Sequence, residues 1–512
     1  MWFFQPPIKC TSFFIRLGIC FLCFMATVWA QSDEVRAKLD RGKELMARGK
    51  FEEAIAVYRE LVQALPNNAG PIMNLGLALH MAGREQEAVS QFQRVLKLES
   101  SHLPARLFLG RAYLGLNMPN KAIDPLETVV RAQPTNREAR LLLGQAFLSL
   151  ENFQPAAEQF ERLAQLEPRN PKAWNGLVLS YEGLTGRSFD ELEKIAPESA
   201  YWLVLVAETL AKGDQSNRAL FFYRQALAKM PNMRGVHSAV AEIYRKGGQA
   251  DWAALEDEKE GKMASLDCGT HSGHSQTLEC DFWAGHYREV AAASKDARAA
   301  EKIFWRTRAY GELARQAFDR LSQLPASAEA HELMAKLYFG RRNFGLSAKE
   351  WREGLKLSPG NPYYRQGLAI SLSASSDYEA ARQIMDDLIK ESPESAELNY
   401  WFGVTLLGLD NPAAAIPFLE KAVKADPTVL PAHKDLARAY LRVGQIEKAM
   451  PHLKVALPVD EEGSLYYQLA LAYRRAGQKE LEKETLNKFQ EIQNSAAIEK
   501  KKFEQQTQIT PP

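Results

Sequence analysis

A 34-residue period constrains this chain more than any other feature. The stretch Arg137 to Asn170 sets the pattern: two antiparallel helices joined by a short turn at Asn152 and stopped at Pro168. Proline stops the second helix because it lacks the N–H that a helix interior needs. Leu143, Phe147, Phe160 and Leu163 recur at helical spacing, with the small Gly144 and Ala156 where two helix backbones are expected to cross closely. Units in one unbroken register start at Val35, Ala69, Leu103 and Arg137. The small residue of the first helix is Gly42, Gly76, Gly110 and Gly144 in turn, and that of the second is Ala54, Ala88, Ala122 and Ala156. Four residues later come Tyr58, Phe92, Leu126 and Phe160, and Pro66, Pro134 and Pro168 end three units, with Ser100 replacing the proline once. Stacked helix pairs require such fixed alternation of small and large residues. The expected fold class is all-α, an α-solenoid.

The register weakens after Asn170. The unit 171–199 has only 29 residues, and Pro197 cuts its second helix, SFDELEKIA, short. Register returns at Ala200, with Ala207, Ala219, Tyr223 and Pro231 in their slots. The next unit places Asp257 and Glu260 at core slots, so Trp252 to Met263 reads as a partly exposed helix. An N-terminal array thus spans 31–267. Residues 268–327 are too few for two full units and read as two shortened ones, the first with a Gly/Ser-rich loop and a turn at Ala284 to Tyr287. A second array covers 328–494, with small residues at Ala335, Ala369, Gly403 and Ala437. Glu482 in a small slot suits a last helix that no neighbour covers. The polar tail 495–512 reads as disordered.

The pattern resembles the tetratricopeptide repeat. Its Trp-x2-Leu-Gly-x2-Tyr signature has a counterpart in Trp174, Leu177, Val178 and Tyr181, with valine in the glycine slot. The resemblance covers nearly all of residues 35–490, and about 14 units fit when degenerate ones are counted. It implies a right-handed superhelix whose first helices line a concave face that binds peptides or proteins, in an exported bacterial type of repeat protein.

Export is read from residues 1–30. Lys9 and Arg16 precede a 13-residue apolar run, Leu17 to Trp29, and Val28 and Ala30 lie three and one before Gln31. The run is shorter than the ~20 residues of a spanning helix and has the form of a secretory signal peptide. A retained anchor is the second reading. The protein is then periplasmic or extracellular, membrane-tethered only if the segment stays, with no integral span after its removal. Ile19 and Leu22 before Cys20 and Cys23 disfavour a lipoprotein signal. Cleavage also removes Cys10, Cys20 and Cys23, and takes the net charge from +1 to −1. So balanced a charge supports no nucleic-acid partner.

Two cysteines are left, Cys268 and Cys280, with His271 and His274 between them. Zinc takes Cys and His ligands at such spacings, and the four are candidate metal ligands. A disulfide is the plainer reading, closing a loop worth about 3 kcal/mol in an oxidising compartment. Free thiols are the third. Catalytic motifs for metalloproteases, serine hydrolases and phosphate-binding loops are missing, so no enzyme, cofactor or catalytic residue is expected. His80, His102, His331 and His433 read as packing or surface residues.

In the family the groove is lined by first-helix positions two, five, nine, twelve and thirteen. Near the N-terminus these slots hold Met73, Leu77, Leu107, Arg111, Leu114, Leu141 and Leu148, an apolar wall suited to an amphipathic helix or extended peptide. Toward the C-terminus they hold Tyr363, Tyr400, Lys434, Arg438, Arg442, Tyr467, Arg474 and Arg475, which suit an acidic segment unless surface ion pairs consume them. Some family members grip a chaperone tail with asparagine and lysine at set slots. Slot nine here reads Lys336, Ile370, Val404, Arg438 and Leu471, which does not support that partner. The expectation is a non-enzymatic scaffold binding a protein or peptide. A structural or transport accessory of the cell envelope, acting by self-association or by docking on a membrane complex, is the alternative.

Overall fold

The computed structural model describes residues 33–511 apart from 264, 265, 267, 269–273 and 296, with backbone alone at 274–277, 505 and 506. The expected signal segment 1–30 and the candidate ligand His271 lie outside the described residues, as does the side chain of His274. Every regular element among the described residues is a helix, and none is long and apolar enough to cross a membrane. Two compact units meet at Gly183 and Leu184, inside the helix Pro171–Ile195.

The first unit stacks four helix pairs: 33–47 with Phe51–Ala64, Ala69–Met81 with Glu85–Leu98, Leu103–Gly115 with Pro119–Ala132, and Arg137–Ser149 with Phe153–Leu166. Each pair turns at the fifteenth residue of its repeat, which takes the left-handed conformation: Gly49, Gly83, Asn117 and Glu151. The rule holds in the second unit at Asp214, Gly248, Arg342, Ser376, Asp410, Gly444 and Gly477. It fails in the unit 171–199, with a visible reason. The corresponding residue of the unit 171–199 is Thr185, and a β-branched side chain resists positive φ. The chain does not turn there. The expected helix pair is instead one continuous 25-residue helix, Pro171–Ile195.

The glycine slot also differs from expectation in what it admits. A Cβ on Gly42, Gly76, Gly110 or Gly144 would lie 2.5–2.7 Å from the ring or branch carbons of Tyr58, Phe92, Leu126 or Phe160. The slot is therefore a socket for a side chain from the second helix, not a crossing of two backbones. Phe160 fills two such sockets, since a Cβ on Gly176 of the next repeat would come within 2.5 Å of it. Ala54, Ala88, Ala122 and Ala156 are fully buried.

Successive repeats are also tied by polar bonds. A helix ended by proline leaves backbone carbonyls without helical partners. The carbonyl of the proline itself, just beyond the helix, is bonded by the fourth residue of the next repeat, six residues downstream. Arg140 donates to Pro134 O at 2.7 Å and Trp174 to Pro168 O at 2.8 Å. His237, Asn399 and His433 bond Pro231, Pro393 and Pro427 in the same way, and Arg106 reaches the carbonyl of Ser100, the residue that replaces proline.

In the second unit the regular pairs start at Ala200–Lys212 with Ser216–Lys229 and Val236–Lys246 with Ala250–Gly261. They resume at Ala328–Gly340 and continue to Ser464–Arg475 with Lys479–Gln506. Between them lie a short pair, His274–Trp283 and Tyr287–Ala293, turning at Gly285 as expected, and one 23-residue helix, Ala300–Ser322. The second shortened repeat is therefore a single helix. Arg306 fixes it: 5% exposed, its guanidinium donates to Ser188 Oγ, Glu191 and the carbonyls of Ser294 and Lys295, and so pairs a charge that would be costly to bury alone. Cys268 and Cys280 are joined by a disulfide.

Two further expectations need correction. The tail is helical to Gln506, so 495–506 is not disordered, because residues such as Ala496, Ala497, Glu499 and Lys500 favour helix despite their polarity. In Ala250–Gly261 the buried acid is Glu256, not Asp257 or Glu260. Glu256 pairs with His237 and Lys259, Asp257 pairs with Arg245, and Glu260 accepts from the backbone N–H of Gly235 at 2.7 Å. That carboxylate caps a helix whose own N-cap, Gly235, has no side chain to do so.

Candidate interaction faces

The N-terminal wall is half-buried. Met73 is 7% exposed and belongs to the core, because the helix Ala69–Met81 is apolar around most of its circumference and is buried on most of it. It is not an accessible contact. Leu77, Leu107, Leu114, Leu141 and Leu148 are half-buried, and Arg111 is paired with Glu138.

The C-terminal slots are more open. Tyr363 is 47% exposed and Tyr467 45% exposed. The Tyr363 hydroxyl donates to Glu332 at 3.3 Å, and Lys336 stands 5.4 Å from the centre of its ring. Tyr400 donates to the buried Asp435 at 3.3 Å, and Arg438 pairs with the same carboxylate at 3.1 Å. Burial pushes the Asp435 carboxyl above its ordinary value, while Arg438 and Tyr400 act against that rise. Arg442 pairs with Asp410 and Arg474 with Glu482. Three of the five cations are thus held by carboxylates. Lys434 and Arg475 are exposed and make no ion pair among the described residues. The uncommitted charge of this face is theirs.

Sequence reasoning missed a cavity of about 480 Å³ in the second unit, lined by Phe189, Leu205, Glu208, Tyr223, Phe282 and Arg308 among others. The Arg308 guanidinium lies 4.7 Å from the Phe282 ring centre and 5.4–5.5 Å from those of Trp283, Phe304 and Trp305, with Glu208 Oε1 at 3.3 Å. Burial, followed by the Glu208 charge, raises the Tyr223 hydroxyl pKa. Gly186 and Gly311 line the same space, and a Cβ on either would meet nothing within 4 Å. No local motif joins Glu208 to Arg308, which are 100 residues apart. The run Phe304-Trp305 before Arg308 was the available signal.

The four histidines of the helix slots have local partners. His80 bonds Glu85 at 2.8 Å, His102 accepts from Ala105 N at 3.1 Å, His331 bonds Glu350 at 2.7 Å, and His433 bonds His452 at 2.8 Å. Burial first, then the neighbouring His433, holds the His452 pKa below the ordinary imidazole value. Among the described residues no three His, Cys, Asp or Glu side chains form a group that could hold a metal ion.

Models of the tetratricopeptide repeat match residues 39–102, 79–145, 367–429, 406–472 and 463–495. Solved structures with similar helical arrangement include the MamA protein, at 21% identity over 39% of this chain and 92% of that one, with a TM-score of 0.29. A tetratricopeptide repeat protein from Parabacteroides merdae is 12% identical over 66% of this chain and 98% of its own, with a TM-score of 0.32. The Cut9–Hcn1 hetero-tetramer of the APC/C is 14% identical over 91% of this chain and 95% of that one, with a TM-score of 0.32.

Proposed function

We propose that this chain, parts of which match tetratricopeptide-repeat models, is a non-enzymatic scaffold that binds a protein or peptide segment along the first-helix face of residues 328–475. The observation that carries this reading is the half-exposure of Tyr363 and Tyr467 on that face, beside the unpaired Lys434 and Arg475. Tyrosine supplies large, stiff contact area with a polar tip, and rim cations attract and orient an acidic segment. The bound segment is an extended or helical one with an apolar anchor and acidic flanks.

The cleaner variant is Lys434→Glu with Arg475→Glu, since Arg438 and Arg442 pair directly with Asp435 and Asp410, whereas Lys434 acts on Asp435 only through its field. Capture of partner from the protein's own extract should weaken, with the melting temperature unchanged. Undiminished capture would count against the reading. We propose further that the chain is exported, which makes an envelope or culture extract the one to use, and N-terminal sequencing of the protein from that fraction tests cleavage before Gln31.

A further inference from the structure

At four joints between successive repeats, a tyrosine on a first helix pairs with a polar side chain 20 residues upstream, on the second helix before it. Gln93 donates to Tyr113 Oη at 2.9 Å, whereas Tyr181 and Tyr440 donate to the carboxylates of Glu161 and Glu420. The fourth joint reverses the charge. Arg224 takes the upstream place on Ser216–Lys229 and donates to Oη of Tyr244 on Val236–Lys246. A hydroxyl that accepts there must send its own hydrogen elsewhere, and a guanidinium has five N–H groups to place. The joint is rich in donors and needs oxygen acceptors from outside these two helices.

The end of the chain supplies them. Arg224 donates to Thr510 Oγ1, to Thr510 O and, at 3.0 Å, to Pro511 O, and Tyr244 Oη donates to Thr510 O at 3.1 Å. Arg218, on the same helix as Arg224, stands 5.0 Å from the centre of the Phe503 ring, a cation–π contact. Proline suits such a surface: Pro511 offers a carbonyl and brings no N–H that would need an acceptor. Thr510 and Pro511 are exposed, so these bonds are weak singly. The folded chain compensates by ending its last helix beside the joint, so the segment need not be captured from solution. Contacts of that strength close reversibly.

We infer that the Arg224–Tyr244 joint is a docking site for an extended, proline-containing segment read through its backbone carbonyls, and that residues 507–511, which follow the helix carrying Phe503, occupy it as an internal latch. The site is separate from the face carrying Tyr363 and Lys434, and its test does not depend on that reading.

The test is a spin-label distance measurement on the full-length chain, with non-canonical amino acids carrying the labels at Asn217 and Gln508 so that the Cys268–Cys280 bond is left intact. The expected result is one short distance in the parent chain. In Arg224→Glu the ratio of short-distance to open chains should fall at least tenfold, as loss of charge-assisted bonds requires, with the melting temperature near that of the parent. A free peptide of residues 501–512, added in millimolar excess, should open the parent chain in the same way. A broad distribution in the parent chain, or a short distance that survives Arg224→Glu, overturns the latch. Failure of the free peptide to compete overturns recognition of the segment.

Discussion

In the regular repeat 137–168 a helical glycine is a socket, while in the long helix Ala300–Ser322 a helical glycine faces open space. Gly144 exists because Phe160 occupies the place of its side chain. Gly311 carries the same conformational penalty with nothing near it, on the wall of the cavity beside Arg308. The difference teaches where this sequence is devoted to packing and where it is not. Regular repeats use their small residues to let neighbours interlock. The centre of the chain merges two helix pairs into single long helices, holds one of them with a buried arginine, and leaves room beside it.

The largest expected effect lies in that centre. Arg306→Leu removes the charge on which Ser188, Glu191 and two carbonyls converge, and should cost about 3 kcal/mol, the low end for a broken buried pair because Glu191 is half-exposed. Urea denaturation should show this as a lowered midpoint, and an unchanged midpoint would mean that the long helix is held by its apolar face alone. Gly144→Ala comes next, at about 1–3 kcal/mol of destabilisation, since its Cβ would sit 2.7 Å from Phe160. Gly311→Ala has the opposite sign, a gain of about 0.5–1 kcal/mol from the better helix former. If both alanines moved stability the same way, the contrast between socket and open wall would fail.

The smallest effect is a pH dependence in a regular repeat. The folded-state pKa of His452 is depressed, so between that value and the ordinary imidazole value of about 6.5 the unfolded chain binds more protons at this site. Its contribution is complete above about pH 6.5 and is lost as pH falls toward the folded pKa. Melting temperatures between pH 7.5 and 5.5 should therefore decline less steeply in His452→Gln than in the parent chain. Identical slopes would remove His452 from the account.

Most of the fold was legible because the repeat states its packing in residue sizes. Gly144 with Phe160, and Ala156 four residues before Phe160, locate a helix pair without any structure. The merging of 171–195 into one helix was legible too, through Thr185 at the turn position, but only once that position was known to require positive φ. The single helix Ala300–Ser322 was not, because no register survives there to measure against. The faces were read less well. Slot positions identify what lies on a first helix but not how far the next repeat covers it, so Met73 was placed on the surface although the helix Ala69–Met81 is enclosed. Ion pairs such as Arg442 with Asp410 depend on residues 32 apart, which a single-slot reading omits. Arg224 looked ordinary until three other joints showed what usually stands in its place.

Photo-cross-linking bears most directly on the claim that recognition lies on the more open C-terminal face and not on the half-buried N-terminal wall. A photoreactive residue would replace Tyr363 in one full-length protein and Leu141 in another, each irradiated in the extract from which partner is captured. The account predicts an adduct at position 363 that disappears when Lys434→Glu and Arg475→Glu are added, and none at position 141. An adduct at 141, or one at 363 indifferent to those two charges, would contradict it.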